Sequence, residues 1–287
     1  MPVVALALLL SAAVGHATWN YFAKGARNDL AFSFAFVASS TVLYAPITLA
    51  VLAFGSPTID RVGLLFVAVS SCFHITYYFM LSRGYRQGDL SLVYPLARGT
   101  GPVLAVAGAI AIYGERPSLL ALAGTLLVVG GILVMSWPLD ADASKGVGIS
   151  LMFALATGAC TAIYTLWDKR GVDHLSPVLY GYGLDIGRTA MFAPFALSTV
   201  AARSAVADAW RTQRRAILGI AILSPAAYIM VLAALRVAPV SYVAPAREIS
   251  ILFGAMIGWR VLGERDAGRR IAGAAGIVGG VFALAMG

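Results

Sequence analysis

The sequence has few charged residues and few of the side chains that carry covalent or metal chemistry. Only 12% of its 287 residues are charged and three are histidine, whereas 60% are hydrophobic. Roughly a quarter of the residues in a soluble domain are charged, so this composition excludes an ordinary soluble globular protein. The two cysteines, Cys72 and Cys160, both lie in apolar runs. That placement argues against a disulfide framework and against a cysteine metal site.

Sequence signatures of catalysis and nucleotide binding are also missing. We find no nucleophile–base pair, no phosphate-binding glycine loop and no metal-ligand spacing. Gly99 and Gly101 lie inside an apolar run, which does not suit a nucleotide-binding loop. No hydrophilic stretch is long enough to form an ATP-binding domain, so primary active transport by this chain alone is excluded. We therefore predict no enzyme activity, no cofactor and no metal.

Apolar runs of about 20 residues, each long enough to cross a bilayer as a helix, recur along the chain. We place ten spans at residues 3–22, 30–54, 62–82, 91–113, 118–137, 146–167, 177–200, 216–235, 241–262 and 268–286. The break between the seventh and eighth spans is assigned to the charged run 211–215. No Lys or Arg precedes the first apolar run, so we interpret it as a span and not as a signal peptide. The predicted fold class is an all-α integral membrane protein with ten transmembrane helices.

Two stretches in the two halves of the chain carry the same landmarks in the same order. Each has a proline, an arginine, a Gly-Glu-Arg triplet and a later Gly-Gly pair, and Arg98 and Arg247 are 149 positions apart, as are Glu115 and Glu264. Chance likeness between hydrophobic helices does not explain this order, which indicates duplication of a five-helix unit. We predict repeats at residues 1–138 and 145–287. Because five is odd, the second repeat is inverted, and a binding site is expected near the midplane.

The Gly-Glu-Arg triplets are interpreted as structural. The first lies between two predicted spans, where Gly114 would end one helix. Glu115 would then favour the positive end of the dipole of the helix that follows it.

Arginines and carboxylates within the apolar runs are the first candidates for function. A charge in the bilayer costs about 2.5–3.5 kcal/mol on insertion scales, so such residues usually face a cavity or a partner. Arg98 and Arg247 would lie near the pseudo-two-fold axis, where two guanidinium forks suit a carboxylate or phosphate. Internal neutralisation, or snorkelling to the interface, is the alternative. Glu248 would pair with Arg98 or carry a coupling proton. For Asp185, an internal ion pair with Arg188 is the favoured interpretation.

Polar and aromatic side chains share faces of several spans and extend this set. His16, Trp19 and Asn20 follow helical spacing, and so do His74 and Tyr78, which indicates faces turned away from lipid. Satisfied core histidines and interface aromatics are the alternative interpretation. The predicted substrate-binding residues are His16, Trp19, Asn20, His74, Tyr78, Tyr94, Arg98, Tyr164, Tyr228 and Arg247. The predicted proton-coupling candidates are Glu248, His74 and Asp185.

The run from His16 to Asn20 with Lys24 at the end of the first span, and the doubled Pro–Arg–Gly-Glu-Arg–Gly-Gly pattern, resemble the drug/metabolite transporter superfamily. The similarity is specifically to EamA-type ten-helix proteins and covers nearly the whole chain. It implies a secondary carrier that exports or exchanges a small metabolite, anionic or amino-acid-like, by alternating access. Two rivals remain open. One is a flippase for a lipid-linked headgroup, and the other is an intramembrane enzyme or a non-transporting membrane partner.

Loop charge and the family resemblance predict opposite orientations of the chain in the membrane. Most of the 21 Lys and Arg residues lie in loops on the side opposite the termini. The positive-inside rule thus places both termini outside, whereas the resemblance implies that they are cytoplasmic. The expected location is the plasma (inner) membrane, as a multi-pass protein. The expected partners are a small-molecule substrate and membrane lipids, with no nucleic acid, and the chain is expected to be a monomer or a homodimer.

Overall fold

The computed structural model describes residues 1–24, 26, 29–55, 57–87, 90–136, 147–253 and 267–287, and within these ranges it contains helices and no strand. We label the helices α1 Val3–Lys24, α2 Leu30–Gly55, α3 Arg61–Gln87, α4 Leu90–Tyr113, α5 Leu119–Ser136, α6 Val147–His174, α7 Pro177–Ala196, α8 Val200–Val237, α9 Val240–Ala246 and α10 Ala267–Met286. A 3₁₀ turn, Arg247–Ile249, follows α9, and helical backbone resumes over 250–253. The prediction of an all-α, ten-helix fold is confirmed.

Six of the described helices are long and apolar enough to cross a membrane. Their apolar parts are Val3–Ala23, Leu30–Gly55, Arg61–Leu81, Leu96–Tyr113, Leu151–His174 and Val200–Val237. Large apolar side chains such as Phe54, Leu119 and Phe195 point outward and are exposed. Helices satisfy their own backbone hydrogen bonds, so a surface of this kind suits lipid and not water.

The helix pairings show the two-fold relation between the repeats. If α1–α5 correspond to α6–α10, the packing of α1 on α8 is the image of the packing of α3 on α6, and both pairs pack closely. The pairs α2 with α7, α4 with α9, and α5 with α10 each relate a helix to its own counterpart, and all three are in contact. Every one of these pairs crosses between repeats, so the halves share one core and do not form separate bundles.

The contact between α5 and α10 shows the same symmetry at single residues. A Cβ on Gly124 would lie 2.7 Å from the carbonyl oxygen of Gly280, and a Cβ on Gly280 would lie 2.6 Å from that of Gly124. Gly131 and Gly273 are related in the same reciprocal way, at 2.6 Å each. Because Gly124 corresponds to Gly273 and Gly131 to Gly280, one close contact is the image of the other. This is the antiparallel crossing that an inverted repeat requires.

Replacing Gly131 is therefore expected to separate two backbones. In Gly131→Ala the new methyl meets the Gly273 carbonyl, which cannot rotate away as a side chain can, so we expect a loss of about 1–3 kcal/mol of stability. Gly130→Ala is the matched control, because nothing lies within 4 Å of a Cβ there and alanine favours a helix over glycine by roughly 0.5–1 kcal/mol. Thermal unfolding of both variants in detergent measures the difference. Equal responses of these two neighbours would contradict the close crossing.

The structure and the predicted boundaries differ most clearly at α6 and α8. The sixth helix runs on to His174, past the predicted end at 167, and α8 is a single run from Val200 to Val237. The break assigned to residues 211–215 is only a kink, at Gln213 with φ −127° and ψ 20°. The true break precedes Val200, where the Thr199 hydroxyl accepts the N–H of Ala202 at 3.0 Å. Dense charge marks this segment as lying at the surface, but its alanines and arginines are also good helix formers.

Glu115 links the repeats on the side where α1 begins. Gly114 ends α4 with a positive φ of 65°, and the Glu115 carboxylate then accepts the N–H groups of Val240 and Ser241, each at 2.8 Å. These are the first donors of α9, which has no side-chain cap of its own. The structural role assigned to Glu115 holds, but the helix whose N-terminus it serves belongs to the other repeat.

Loss of this cap is expected to weaken the start of α9. We expect Glu115→Ala to reduce stability by about 1–2 kcal/mol, because two orphan N–H groups lose a charged acceptor. Arg116→Ala is the control, since the neighbouring Arg116 is exposed. Thermal unfolding in detergent checks the expectation, and a melting temperature unchanged in Glu115→Ala would show that water replaces the cap.

Candidate functional site

Arg98 of α4 and Arg247 of the 3₁₀ turn meet at one carboxylate. Arg98 Nε lies 3.1 Å from Glu248 Oε2, and Arg247 Nε lies 3.5 Å from Glu248 Oε1. The Arg98 guanidinium also donates to Ser250 Oγ at 3.1 Å. Glu248 is 1% exposed. The structure thus brings the two arginines together and places Arg98 against Glu248, which is one of the two alternatives left open by the sequence. We call these four residues the arginine cluster.

The local backbone explains why adjacent residues converge here. Pro245 lacks an N–H group, so α9 ends at Ala246 and the chain tightens into the 3₁₀ turn that starts at Arg247. Pairing of Arg247 with its own neighbour Glu248 follows from that turn. In the first repeat the position equivalent to Glu248 is Gly99. The carboxylate is therefore present in one repeat only, and the cluster holds two cations and one anion.

A pocket opens beside the arginine cluster, between α3, α4 and α6. It is lined by Tyr77, Leu81, Ala97, Arg98, Pro102, Thr157, Thr161, Tyr164 and Glu248. Its cavity volume is about 20 Å³, and a single water needs roughly 10–15 Å³ of such volume. The pocket as it stands holds about one water. A larger ligand requires the surrounding helices to separate.

An aromatic group adjoins this pocket. The His74 ring stacks on Tyr164 with centroids 4.4 Å apart and meets the Tyr228 ring edge-on at 5.3 Å. His74 Nδ1–H donates to the carbonyl oxygen of Ser70 at 2.9 Å, which fixes the ring on α3. Tyr164 belongs both to this group and to the pocket lining. Arg247 is also within electrostatic reach of Tyr164 and Tyr228. Five predicted site residues thus lie together: His74, Arg98, Tyr164, Tyr228 and Arg247.

The sequence interpretation missed Asp168, which is fully buried. Its carboxylate accepts hydrogen bonds from Ser70 Oγ at 2.5 Å, from the Tyr180 hydroxyl at 2.8 Å and from the Tyr228 hydroxyl. The predicted sixth span ends at 167, so Asp168 falls one residue outside the predicted spans and is not among the predicted site residues. The signal that could have found it is helical spacing, since Asp168 follows Tyr164 by four residues and shares its face of α6.

The polar residues of α1 contact one another, and none of them lines the pocket. Trp19 Nε1–H donates to His16 Nδ1 at 3.2 Å, and the Asn20 amide donates to the His16 carbonyl oxygen at 2.8 Å. Both hydrogen bonds lie within one helix. His16 is still within electrostatic reach of Arg98 and Arg247. A role at the site remains a prediction for these three residues.

The remaining predicted residues lie elsewhere in the described structure or outside it. Tyr78 contacts Ser33 Oγ at 3.0 Å and meets the Phe192 ring edge-on, so it joins α3 to α2 and α7. Asp185 is buried and forms an ion pair with Arg188 on the same helix, the arrangement favoured from the sequence. The side chain of Tyr94 lies outside the described part of the structure.

Comparisons with known proteins agree with this architecture. The model of the EamA-like transporter family matches residues 3–137 and again residues 148–286. No curated protein matches the chain in sequence. A solved crystal structure aligns with 100% of this chain and 98% of its own, with a TM-score of 0.73 and 16% sequence identity. At that identity, the likeness shows a shared fold and carries nothing about the ligand.

Proposed function

Because this chain belongs to the EamA-like transporter family, we propose that it is a secondary transporter of a small anionic metabolite. Family membership makes it a multi-pass integral membrane protein and a membrane transporter of the drug/metabolite type. The anionic substrate, alternating access and the direction of movement are our additions. The observation that carries the proposal is the arginine cluster, in which two guanidinium groups share one carboxylate between the repeats.

The charges of the cluster favour an anion. The described residues of the cluster carry two cations and one carboxylate, and a carboxylate or phosphate group would balance the remaining positive charge. Glu248 already occupies the guanidinium groups as such a ligand would. An entering anion would compete with Glu248 for Arg98, and planar guanidinium forks are well suited to that exchange. An amino-acid-like substrate would present its carboxylate here and its other groups to the tyrosines.

The same contact gives alternating access a structural basis. Arg98 belongs to the first repeat and Glu248 to the second, so their ion pair holds the halves together beside a pocket with room for about one water. A substrate that takes Arg98 from Glu248 weakens that contact. The halves can then separate around the site, as inverted repeats do in other secondary carriers.

We assign substrate contact first to the five predicted residues that lie together, His74, Arg98, Tyr164, Tyr228 and Arg247. His16, Trp19, Asn20, Tyr78 and Tyr94 stay in the proposal as residues of an opened site.

For the coupling proton, the proposal keeps the predicted candidates. Glu248 would take up a proton when a substrate removes its arginine partners, while His74 and Asp185 are the other candidates. Location in the plasma (inner) membrane, export or exchange, and a monomeric or homodimeric state belong to the same proposal.

The test begins with ligand binding, since a ligand that binds only the native state raises apparent stability. We would screen the purified protein against monocarboxylates, dicarboxylates, phosphate esters and amino acids by thermal unfolding. Compounds that stabilise it would then be used in counterflow with reconstituted vesicles. We expect stabilisation by anionic compounds and counterflow of the same compounds. Stabilisation by cations alone would remove the anion assignment.

The rival functions predict different results in the same preparation. A flippase would move a labelled lipid between leaflets and would show no counterflow of soluble compounds. An enzyme would convert its ligand into a new compound in detergent, without vesicles. The proton role of Glu248 is tested by the pH profile of transport, which should flatten in Glu248→Gln.

A further inference from the structure

A second buried charge lies outside the arginine cluster. Asp168, on α6, is 0% exposed. Ser70 and Tyr180 donate to Oδ1, and Tyr228 donates to Oδ2. The three donors come from α3, α7 and α8, so the site is assembled by the tertiary fold and not by one helix. Each carboxylate oxygen accepts at least one hydrogen bond from a neutral hydroxyl group.

No cation forms an ion pair with Asp168 among the described residues. The titratable or charged groups around it are Tyr180 of α7 and Tyr228 of α8, which bond to it directly, His74 of α3, which reaches it through Ser70, and Arg247 of the 3₁₀ turn. Arg247 acts on Asp168 electrostatically without an ion pair. The adjacent Lys169 is directed elsewhere, since its ammonium donates to the carbonyl oxygens of Leu235 and Ala238 at 2.5 and 3.4 Å.

An ionised carboxylate held this way lacks a neutralising partner. Three hydroxyl groups supply hydrogen bonds but no charge, and an unpaired charge away from water is strongly unfavourable. A metal ion does not suit a single carboxylate whose neutral neighbours already donate their protons to it. A proton needs no added space and neutralises the group directly. It also adds a donor, so one of the three hydroxyls must turn to accept from the new O–H.

A hydrogen-bonded path leads from Asp168 through Ser70 to His74, which lies beside the pocket next to the arginine cluster. Ser70 Oγ lies 2.5 Å from Asp168 Oδ1 and 3.3 Å from His74 Nδ1. One hydroxyl therefore stands between two titratable groups. The His74 ring stacks on Tyr164, which lines the pocket. Chains of Asp, Glu and His are typical of proton relays inside membrane proteins, and here a serine hydroxyl connects the Asp to the His.

We propose that Asp168 is a proton-binding site of this protein. The proton reaches it from the pocket beside the arginine cluster, through His74 and Ser70. The inference rests on the proposed function, in which it supplies a coupling proton at a site additional to Glu248, His74 and Asp185. Ser70 belongs to the first repeat, whereas Asp168, Tyr180 and Tyr228 belong to the second. Protonation removes the negative charge from the group that accepts the Ser70 hydrogen bond, and a hydrogen bond to a neutral acceptor is weaker. Binding of the proton therefore weakens a contact between the two halves that have to move.

Infrared difference spectra of the purified protein, recorded between acid and alkaline buffer, test the proposal through the C=O stretch of protonated carboxyl groups. We expect the wild-type protein to show a band at acid pH that disappears in Asp168→Asn and remains in Asp185→Asn and Glu248→Gln. Spectra of Asp168→Asn that keep every carboxyl band of the wild type would overturn it. The measurement needs neither substrate nor vesicles, so its failure is distinct from failure of the transport proposal.

Two further variants keep the carboxyl group and guard against misfolding of Asp168→Asn. Ser70→Ala and Tyr180→Phe each remove one hydroxyl donor, which should move the Asp168 band to higher wavenumber because its C=O accepts fewer hydrogen bonds. Bands unshifted in both variants would also overturn the assignment.

The proton path is tested by a pH jump followed in time by infrared spectroscopy. His74→Phe should slow the appearance of the band without reducing its final size, and an unchanged rate would exclude the route through His74.

Discussion

Transport by the Arg98→Ala and Arg247→Ala variants is expected to fall by at least about 30-fold. Each variant removes one guanidinium that would hold the anion of the substrate. Losing one partner of a buried, hydrogen-bonded charge pair costs at least about 2 kcal/mol, which is roughly 30-fold in binding. The effect should appear in counterflow and in the concentration of ligand that half-stabilises the purified protein.

The conservative variant separates charge from geometry. Arg98→Lys keeps one positive charge but loses the planar fork, so we expect activity between that of the wild type and that of Arg98→Ala. Arg170→Ala is the matched control. Arg170 lies over the Tyr113 ring at 4.7 Å, away from the pocket, and its removal should leave transport unchanged. Wild-type rates and affinities in both alanine variants would show that the arginines do not bind the substrate.

Glu248→Ala is expected to have the largest effect on stability. It leaves two arginine side chains facing each other without their shared carboxylate, and breaking a buried ion pair from one side costs about 3–5 kcal/mol. Glu248→Gln keeps the shape and part of the hydrogen bonding, so a smaller loss is expected. Denaturant unfolding in detergent measures both. Asp173→Ala, which removes an exposed acid at the end of α6, should change stability by less than about 0.5 kcal/mol.

A double-mutant cycle isolates the contact between the repeats. Arg98→Ala should be much less destabilising when Glu248 is already alanine, because the partner that it would abandon is gone. We expect a coupling energy of about 1–3 kcal/mol, in the range found for residues in direct contact. Strictly additive effects would mean that Arg98 and Glu248 do not stabilise each other, and the ion pair would then not hold the halves together.

Hydropathy and internal repetition are sufficient to predict the fold. Ten apolar runs of membrane-spanning length predict helices, since a helix is the way for one isolated segment to satisfy its backbone in lipid. The spacing of Arg98 and Arg247 identifies them as repeat counterparts, and five helices per unit makes the second copy inverted. These features are local or periodic, so the sequence alone carries them.

The predicted end of α6 and the predicted break within α8 are wrong because both rely on local charge. The charges at Lys169 and Arg170, and again at 211–215, mark the membrane surface, and the sequence therefore predicts helix ends there. A helix can continue beyond the hydrocarbon when its backbone partners lie within itself, and α6 and α8 both do so. That extension places Asp168 in the core, where hydroxyl groups of three other helices donate hydrogen bonds to its carboxyl group.

By itself, the sequence determined an inverted ten-helix membrane protein with two arginines related by the repeat. The tertiary structure alone decided that one glutamate lies between those arginines, that Glu115 caps the opposite repeat, and that Asp168 meets Ser70, Tyr180 and Tyr228. It also separated Tyr78 and the polar face of α1 from the pocket. The physical reason is that hydrophobic length and periodicity act along one helix. The partner of a polar side chain depends on which helices pack beside it, and that choice is made by the whole fold.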